Sequence, residues 1–359
     1  MPSDSPTGER LHAYGTAATA LALHDDRRLA ALLEAARPLG SGIGGTSALL
    51  DVDGTPVFVK RVPLTDTERA PGNRHSTADL FGLPLVCQYG MTGIGSPGFG
   101  AWRELAVHTM TTNWVLTGAY GGFPLMYHWR VLPAAPTALP DELADIDRAV
   151  DHWGGGSGVR RRIEELRDSS ASLVLFLEYV PRTLHDWLEK AVGRGGEGAD
   201  GAVRRTEDQL TDGIRFLAGQ GLLHFDSHFR NILTDGRRLY FTDYGLALST
   251  RFDLSPAERG FAARHRGHDQ AYTMSYLVNW LVTAVHGRGR QEREALIRAC
   301  AEGKEPPEGP EAVREVIRRH APTAAVVTEF YGKLLEGALD TPYPDAELDR
   351  TLRTGRLPG

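Results

Sequence analysis

The sequence predicts an α+β fold of two lobes, a small antiparallel sheet followed by a helical half. Three observations carry that expectation. Between Leu39 and Lys60, short β-prone runs alternate with glycine turns. Asp53-Gly54 falls between two of those runs, a strong hairpin signal. Beyond residue 268 the pattern is mostly helical to near the end of the chain. With 359 residues, 41% hydrophobic and 24% charged, the chain suits one large two-lobed domain with a sizeable core.

The elements follow in order. A polar start leads into LALHDDRRLAALLEAARP, which keeps Leu and Ala at helical spacing and stops at Pro38. LGSGIGGTSALLDVDGTPVFVKRV reads as a strand, a glycine turn, a second strand, the Asp53-Gly54 turn and a third strand ending at Lys60. Residues 61–98, rich in Gly, Pro and Thr, read as a partly ordered insertion. FGAWRELAVHTMTTNWVLT fits a helix with Trp102, Leu105, Ala106, Met110 and Trp114 near one face. PLMYHWRVLP reads as a strand, and 140–168 as a charged helical segment broken by GGGSG. LVLFLEYV is a buried strand, TLHDWLEKAV a helix and GRGGEGADG a flexible loop; RTEDQLTDGIRFLAGQG is an amphipathic helix. The expected division is a helical extension over 1–38, a strand lobe over 39–180 with its insertion around 61–98, and a helical lobe over 181–359.

A net charge of −6 argues against a nucleic-acid partner for the chain as a whole. Cys87 and Cys300 form no zinc-like cluster and no disulfide framework, which suits a reducing compartment. The start of the chain lacks the basic and apolar regions of a signal peptide, and the apolar run Leu173–Val180 is too short to span a bilayer. The expectation is a cytoplasmic protein with no membrane partner.

The densest chemistry lies in GLLHFDSHFRNILTDGRRLYFTDYG, Gly221–Gly245. Asp226 and Asn231 share a loop after a helix. A short strand, the Asp235-Gly236 turn and a second strand then lead to Asp243, and a tight hairpin brings its ends together. Three oxygen-bearing side chains at one point suit a hard divalent cation and a hydroxyl nucleophile, the set that phosphoryl transfer needs.

From His224-Phe225-Asp226 to Asn231, the segment resembles the HxDxxxxN catalytic loop of the protein-kinase-like superfamily, which spans Ser/Thr protein kinases and the aminoglycoside and choline phosphotransferases. Asp243-Tyr244-Gly245 resembles its DFG motif, with Tyr for Phe. The resemblance implies a two-lobed protein-kinase-like fold and ATP with Mg²⁺ as cofactors. It makes Asp226 the catalytic base, Asn231 and Asp243 the Mg²⁺ ligands, and His224 a packing residue. Gly40, Gly42 and Gly45 of GSGIGG match a phosphate-covering glycine loop between strands, and the strand that follows supplies Lys60. A Rossmann reading of the same glycines needs a helix directly after them, and the run Ser47–Asp53 is strand-like. The family's lysine pairs with a glutamate from the next helix, here Glu104, with Glu68 as its rival. Glu178-Tyr179-Val180 resembles the hinge whose backbone holds adenine, which places Glu178 and Val180 at the nucleotide.

The departures bear on the acceptor. His228 stands where protein kinases have Lys and small-molecule kinases often have His, so it joins the catalytic candidates. Phe225 replaces the Arg that holds a phosphorylated activation loop, and no APE motif follows Asp243. Asp269 is the candidate brace for the catalytic loop. The expected activity is transfer of the γ-phosphate of ATP to a hydroxyl on a protein or a small molecule. The alternative is a pseudokinase-like nucleotide-binding module acting on a protein partner through its N-terminal or C-terminal helices. His185 and the run Arg160-Arg161-Arg162 are expected at the surface.

Overall fold

The computed structural model describes residues 6–42, 44–90, 93–287 and 289–354. Two helices, α1 (Pro6–Ala22) and α2 (Asp26–Ala35), come first. The expected single helix is broken because Asp25 leaves it to cap α2, accepting the amide of Arg28 at 2.8 Å. Ala17, Leu21, Leu29 and Leu33 are buried in the main core, so the extension is packed on the sheet.

Strands β1 (Arg37–Gly42), β2 (Gly45–Val52) and β3 (Thr55–Leu64) form an antiparallel meander. Asp53 and Gly54 both take positive φ, +49° and +78°, as a two-residue primed turn requires. β3 does not end at Lys60. Its alternation continues, with Val62 and Leu64 buried and Leu64 in register with Ala171, so the first residues of the expected insertion are sheet. Strand parity decides the rest of the lobe. Val57 and Val59 face the core shared with α1 and α2; Phe58, Lys60, Val62 and Leu64 face the opposite side.

That opposite side is covered by α4 (Ala101–Leu116), reached through α3 (Asp66–Arg69) and a short 3₁₀ turn at Leu85–Gln88. The intervening segment has its own core. Phe81, Leu83, Cys87, Ile94 and Phe99 pack with Leu143, Val150, Trp153 and Ile163. These partners come from α5 (Asp141–Ala144), α6 (Ile146–His152) and α7 (Ser157–Arg167), which follow β4 (Met126–Pro133). β5 (Ala171–Glu178) lies between β3 and β4, which completes the order β1-β2-β3-β5-β4.

The second lobe is mostly helical. β6 (Arg182–Thr183) leads into α8 (Leu184–Val192) and the long α9 (Gly196–Gly219). Of the glycine-rich run expected to be a loop, only residues 193–195 connect the two helices; from Gly196 on it forms the first turns of α9. Ala199, Ala202 and Val203 are buried there, and Asp200 accepts the amide of Ala312 at 2.8 Å, so tertiary packing overrides glycine's poor helix propensity. β7 (Leu222–Leu223), β8 (Ile232–Thr234), β9 (Leu239–Phe241) and β10 (Leu248–Ser249) frame the chemistry-bearing segment. The chain then runs through α10 (Pro256–Arg264), α11 (His268–His286), α12 (Arg290–Ala301), α13 (Glu311–Leu335) and α14 (Asp345–Thr354). Among the described residues no helix is long and apolar enough to cross a membrane.

Candidate active site between the lobes

Because Lys60 sits on the face of β3 that α4 covers, its amine meets that helix. Lys60 Nζ donates to Glu104 Oε1 at 2.6 Å and to Asp243 Oδ1 at 3.0 Å. Glu104 is thus the lysine's partner, and Glu68 is not. Burial opposes the Lys60 charge, yet Asp243 and Glu104 outweigh it and raise the amine's affinity for its proton. Glu68 instead holds the start of α4, which has no side-chain cap of its own. It accepts the Ala101 amide at 2.7 Å, closes a capping box with Thr65, and pairs with Arg162 at 2.9 Å. Arg162 is therefore 3% exposed and not on a solvated face, whereas Arg160 is exposed and pairs with Asp147. A tertiary partner decides between the two.

The second half of the site is set by short pairings. β7 pairs antiparallel with β10, and β8 with β9, which brings 224–231 beside 242–247. The Thr242 amide donates to the Asn231 carbonyl at 3.0 Å. His224, fully buried, sits with Nε2 3.0 Å from the Thr242 carbonyl, and burial lowers its pKa. Asp269 at the start of α11 accepts the amides of His224 at 2.5 Å and Phe225 at 2.9 Å. Those two bonds hold Phe225 at φ +63°, a left-handed conformation costly for an aromatic residue. Phe225 buries its ring against Phe261 and His268.

Asn231 Nδ2 donates to Asp226 Oδ2 at 2.9 Å and to the Asp226 carbonyl at 3.0 Å. Burial, then the charge of Asp243, pushes the Asp226 carboxyl up to about 8. Burial works the same way on Asp243, but Lys60 overrides it and holds that carboxyl at about 2. Two neighbouring carboxyls are thereby driven apart, one toward proton exchange near neutrality and one locked as an anion. His228 Nε2 lies 3.7 Å from Asp226 Oδ1, and burial brings its pKa down to about 4, so it is neutral at pH 7.

The glycine run divides. Gly40 and Gly42 lie on exposed β1 with open space around them. Gly45 has φ +110°, and a Cβ there would sit 1.9 Å from the Arg61 carbonyl oxygen, so this position admits only glycine. Ile43 lies outside the described residues. The glycine nearest the chemistry is Gly44, whose Cβ would sit 3.0 Å from Lys60 Nζ. Sequence reasoning passed over it; its signal was its place at the turn of the β1–β2 hairpin.

At the end of β5, Glu178 is committed elsewhere. It accepts Arg10 Nε and Nη2, both at 2.7 Å, and the Leu125 amide at 3.0 Å. Its side chain therefore turns to α1, its own amide donates to the Leu125 carbonyl at 2.7 Å, and Val180 is buried. Arg10 also donates to the carbonyls of Gly121 and Phe123 and stands over the Tyr240 ring at 5.2 Å. His185, expected at the surface, accepts from Trp280 Nε1 at 3.1 Å.

Gly44, Glu104, Asp226 and Asp243 line one cavity of about 150 Å³ between the lobes. Gly40, Gly42, Gly45, Lys60, Glu178, Val180, His228 and Asn231 do not line it, although Lys60 and Asn231 bond to Asp243 and Asp226, which do. No protein-family model matches the chain, and no curated protein matches it by sequence. The architecture, an N-terminal antiparallel sheet and a mostly helical second lobe, agrees with kinase-like folds at that coarse level.

Proposed function

We propose that the chain is a protein-kinase-like, ATP-dependent phosphotransferase that moves the γ-phosphoryl group of ATP to a hydroxyl acceptor. The observation that carries the reading is the Lys60–Glu104–Asp243 bridge directly beside the Asp226–Asn231 pair. A buried ion chain of this kind is costly to assemble for stability alone. Its cation sits under a glycine turn, and its outer carboxylate, Asp243, keeps 43% of its side chain exposed toward the cavity.

The residues fit Mg²⁺ and nucleotide phosphate. Among the described residues no group of three His, Cys, Asp or Glu side chains would hold a metal by itself. Asn231 and Asp243 supply two oxygen donors, and Mg²⁺ at nucleotide sites takes few protein oxygens and completes its shell with phosphate and water. Bound there, Mg²⁺ would offset the charge of the phosphate oxygens. Lys60 would hold a phosphate oxygen while Glu104 keeps its amine in place. The backbone of the β1–β2 turn would approach the phosphates closely because Gly44 has no side chain. Asp226 would orient the acceptor hydroxyl and take its proton, a task suited to a carboxyl that titrates near neutral pH. Asn231 would fix the rotamer of Asp226 through its amide. His228 would add a neutral dipole.

The test is magnesium-dependent transfer from γ-labelled ATP, comparing the wild type with Asp226→Ala, using protein and hydroxylated small-molecule acceptors. The expected result is transfer by the wild type and none by the variant, with nucleotide binding retained by both. Equal transfer by the two would remove Asp226 from the chemistry. Binding without transfer in either would move the reading to a nucleotide-binding regulatory module.

A further inference from the structure

One buried ion pair beside the site has no part in the chemistry described above. Arg103, 2% exposed, precedes Glu104 in α4, and its Nη2 donates to Glu258 Oε1 in α10 at 2.6 Å. Successive residues of a helix point about 100° apart. Glu104 therefore reaches Lys60 in the strand lobe while Arg103 reaches the helical lobe. Two neighbouring side chains of α4 thus engage both lobes.

Arg103 gathers several elements around it. Its Nε donates to the Thr77 carbonyl at 2.8 Å, and its guanidinium lies 5.2 Å from the Phe99 ring and 5.5 Å from the Phe252 ring. Thr77 Oγ1 in turn accepts the Asp253 amide at 2.9 Å. Glu258 is equally buried, and its second oxygen accepts the Ser255 amide at 2.8 Å, closing the capping box of α10. Burial opposes the Glu258 charge, but Arg103 and the Ser255 amide outweigh it and lower its pKa. Phe252 and Asp253 lie on the stretch between Asp243 and α10. The clasp therefore connects the two elements whose carboxylates hold Lys60: α4, which carries Glu104, and the chain that leaves Asp243.

Stability is a poor reason for such a pair. Both ions lose their water, and apolar replacement of a buried pair is often neutral. Among the described residues, the buried Nη1 of Arg103 has no partner, a further cost. The start of α4 is already held from the strand lobe, where Glu68 takes the Ala101 amide at 2.7 Å and its carbonyl takes Trp102 Nε1 at 2.9 Å. What Arg103 adds is a hold from the opposite side.

We propose that Arg103 and Glu258 are positioning residues for phosphoryl transfer. Their pair fixes the first turns of α4 against the helical lobe, at the place where Glu104 meets the Lys60 amine. Neither lines the cavity between the lobes, so they act through Glu104. The kinetic consequence rests on the function read above for Lys60; the placement of α4 does not.

The experiment uses the full chain and two substitutions made together, Arg103→Met and Glu258→Gln. Together they leave no unpaired buried charge and keep an acceptor for the Ser255 amide. The melting temperature of this paired variant should stay near that of the wild type. Its kcat for transfer from labelled Mg·ATP, with the acceptors of the assay above, should fall on the order of 10²-fold, with the KM for ATP little changed. Arg103→Lys, which keeps a cation facing Glu258, should lose much less. The deciding readout is coupling: added to Glu104→Ala, the paired substitutions should lower kcat little further, because the link they act through is already gone. A full further loss in that background would overturn the proposal, as would an unchanged kcat or a melting temperature that falls in step with kcat. A wild type that transfers no phosphate would sink the phosphotransfer reading, and hydrogen exchange of the chain without nucleotide then decides the positioning by itself. Faster exchange over Leu105–His108 in the paired variant, with α13 unchanged, supports it; identical exchange ends it.

Discussion

Asp226 is held at a cost, and replacing it exposes that cost. Its carboxyl moves from an ordinary 3.8 to about 8 on folding. Each unit is worth about 1.4 kcal/mol. Over about four units that is a penalty on the order of 6 kcal/mol at high pH, carried by proton linkage. Asp226→Asn keeps the shape and still accepts from Asn231, but carries no charge. The sign is determined by protons. The folded chain binds more of them than the unfolded chain between about pH 4 and pH 8, so the contribution of Asp226 to stability falls as pH rises through that window. The variant should therefore match the wild type near pH 4, gain steadily above it, and level off above pH 8 with a melting temperature higher by about 8 °C. Circular-dichroism melts at pH 5 to 9, without nucleotide or metal, measure this. The same variant should transfer no phosphate at any of these pH values. A gain that does not change with pH, or a loss of stability, would refute the reasoning that Asp226 is a strained, proton-holding carboxyl.

Four further outcomes are expected. On the proposed mechanism kcat/KM should rise with pH as the raised Asp226 carboxyl loses its proton, and level off above its pKa; a flat pH–rate profile would contradict that. Lys60→Met should abolish transfer and destabilise the fold by about 3 kcal/mol in urea, because it strands Glu104, 3% exposed, with only His108 at 3.9 Å. Adding Glu104→Gln should then restore stability but not activity. Gly45→Ala should cost about 2 kcal/mol through its clash with Arg61, while Gly42→Ala, facing open space, should stay within about 0.5 kcal/mol. Arg10→Ala should cost about 2 kcal/mol and speed hydrogen exchange at Leu125 and Glu178, whose backbones Arg10 holds through Glu178.

What could be read in the sequence was what local chemistry decides. The Asp53-Gly54 turn, the alternation through Lys60 and the hairpin between Asn231 and Asp243 depend on neighbours a few residues away. Their register then carries Lys60 toward α4 with no further information. The choice between Glu68 and Glu104 was beyond reach, because both are single acids near apolar residues and only Arg162 and Ala101, distant in the chain, claim Glu68. Arg162 was misread for the same reason, since its neighbours Arg160 and Arg161 do behave as surface residues. The start of α9 was hidden because glycine's poor propensity is overridden by contacts with α13. The ordered core of the 65–100 segment needs α5 to α7, whose own pattern gives no hint of that partner.

Arg10 adds a tie between parts of the molecule that are distant in the chain. Its partners Glu178, Gly121 and Phe123 belong to the strand lobe and the run into it, while Tyr240 belongs to the helical lobe. One side chain of α1, a helix packed on the sheet, thus touches both lobes at once. A partner or a protease that lifted α1 away would remove these ties without touching Lys60, Asp226 or Asp243.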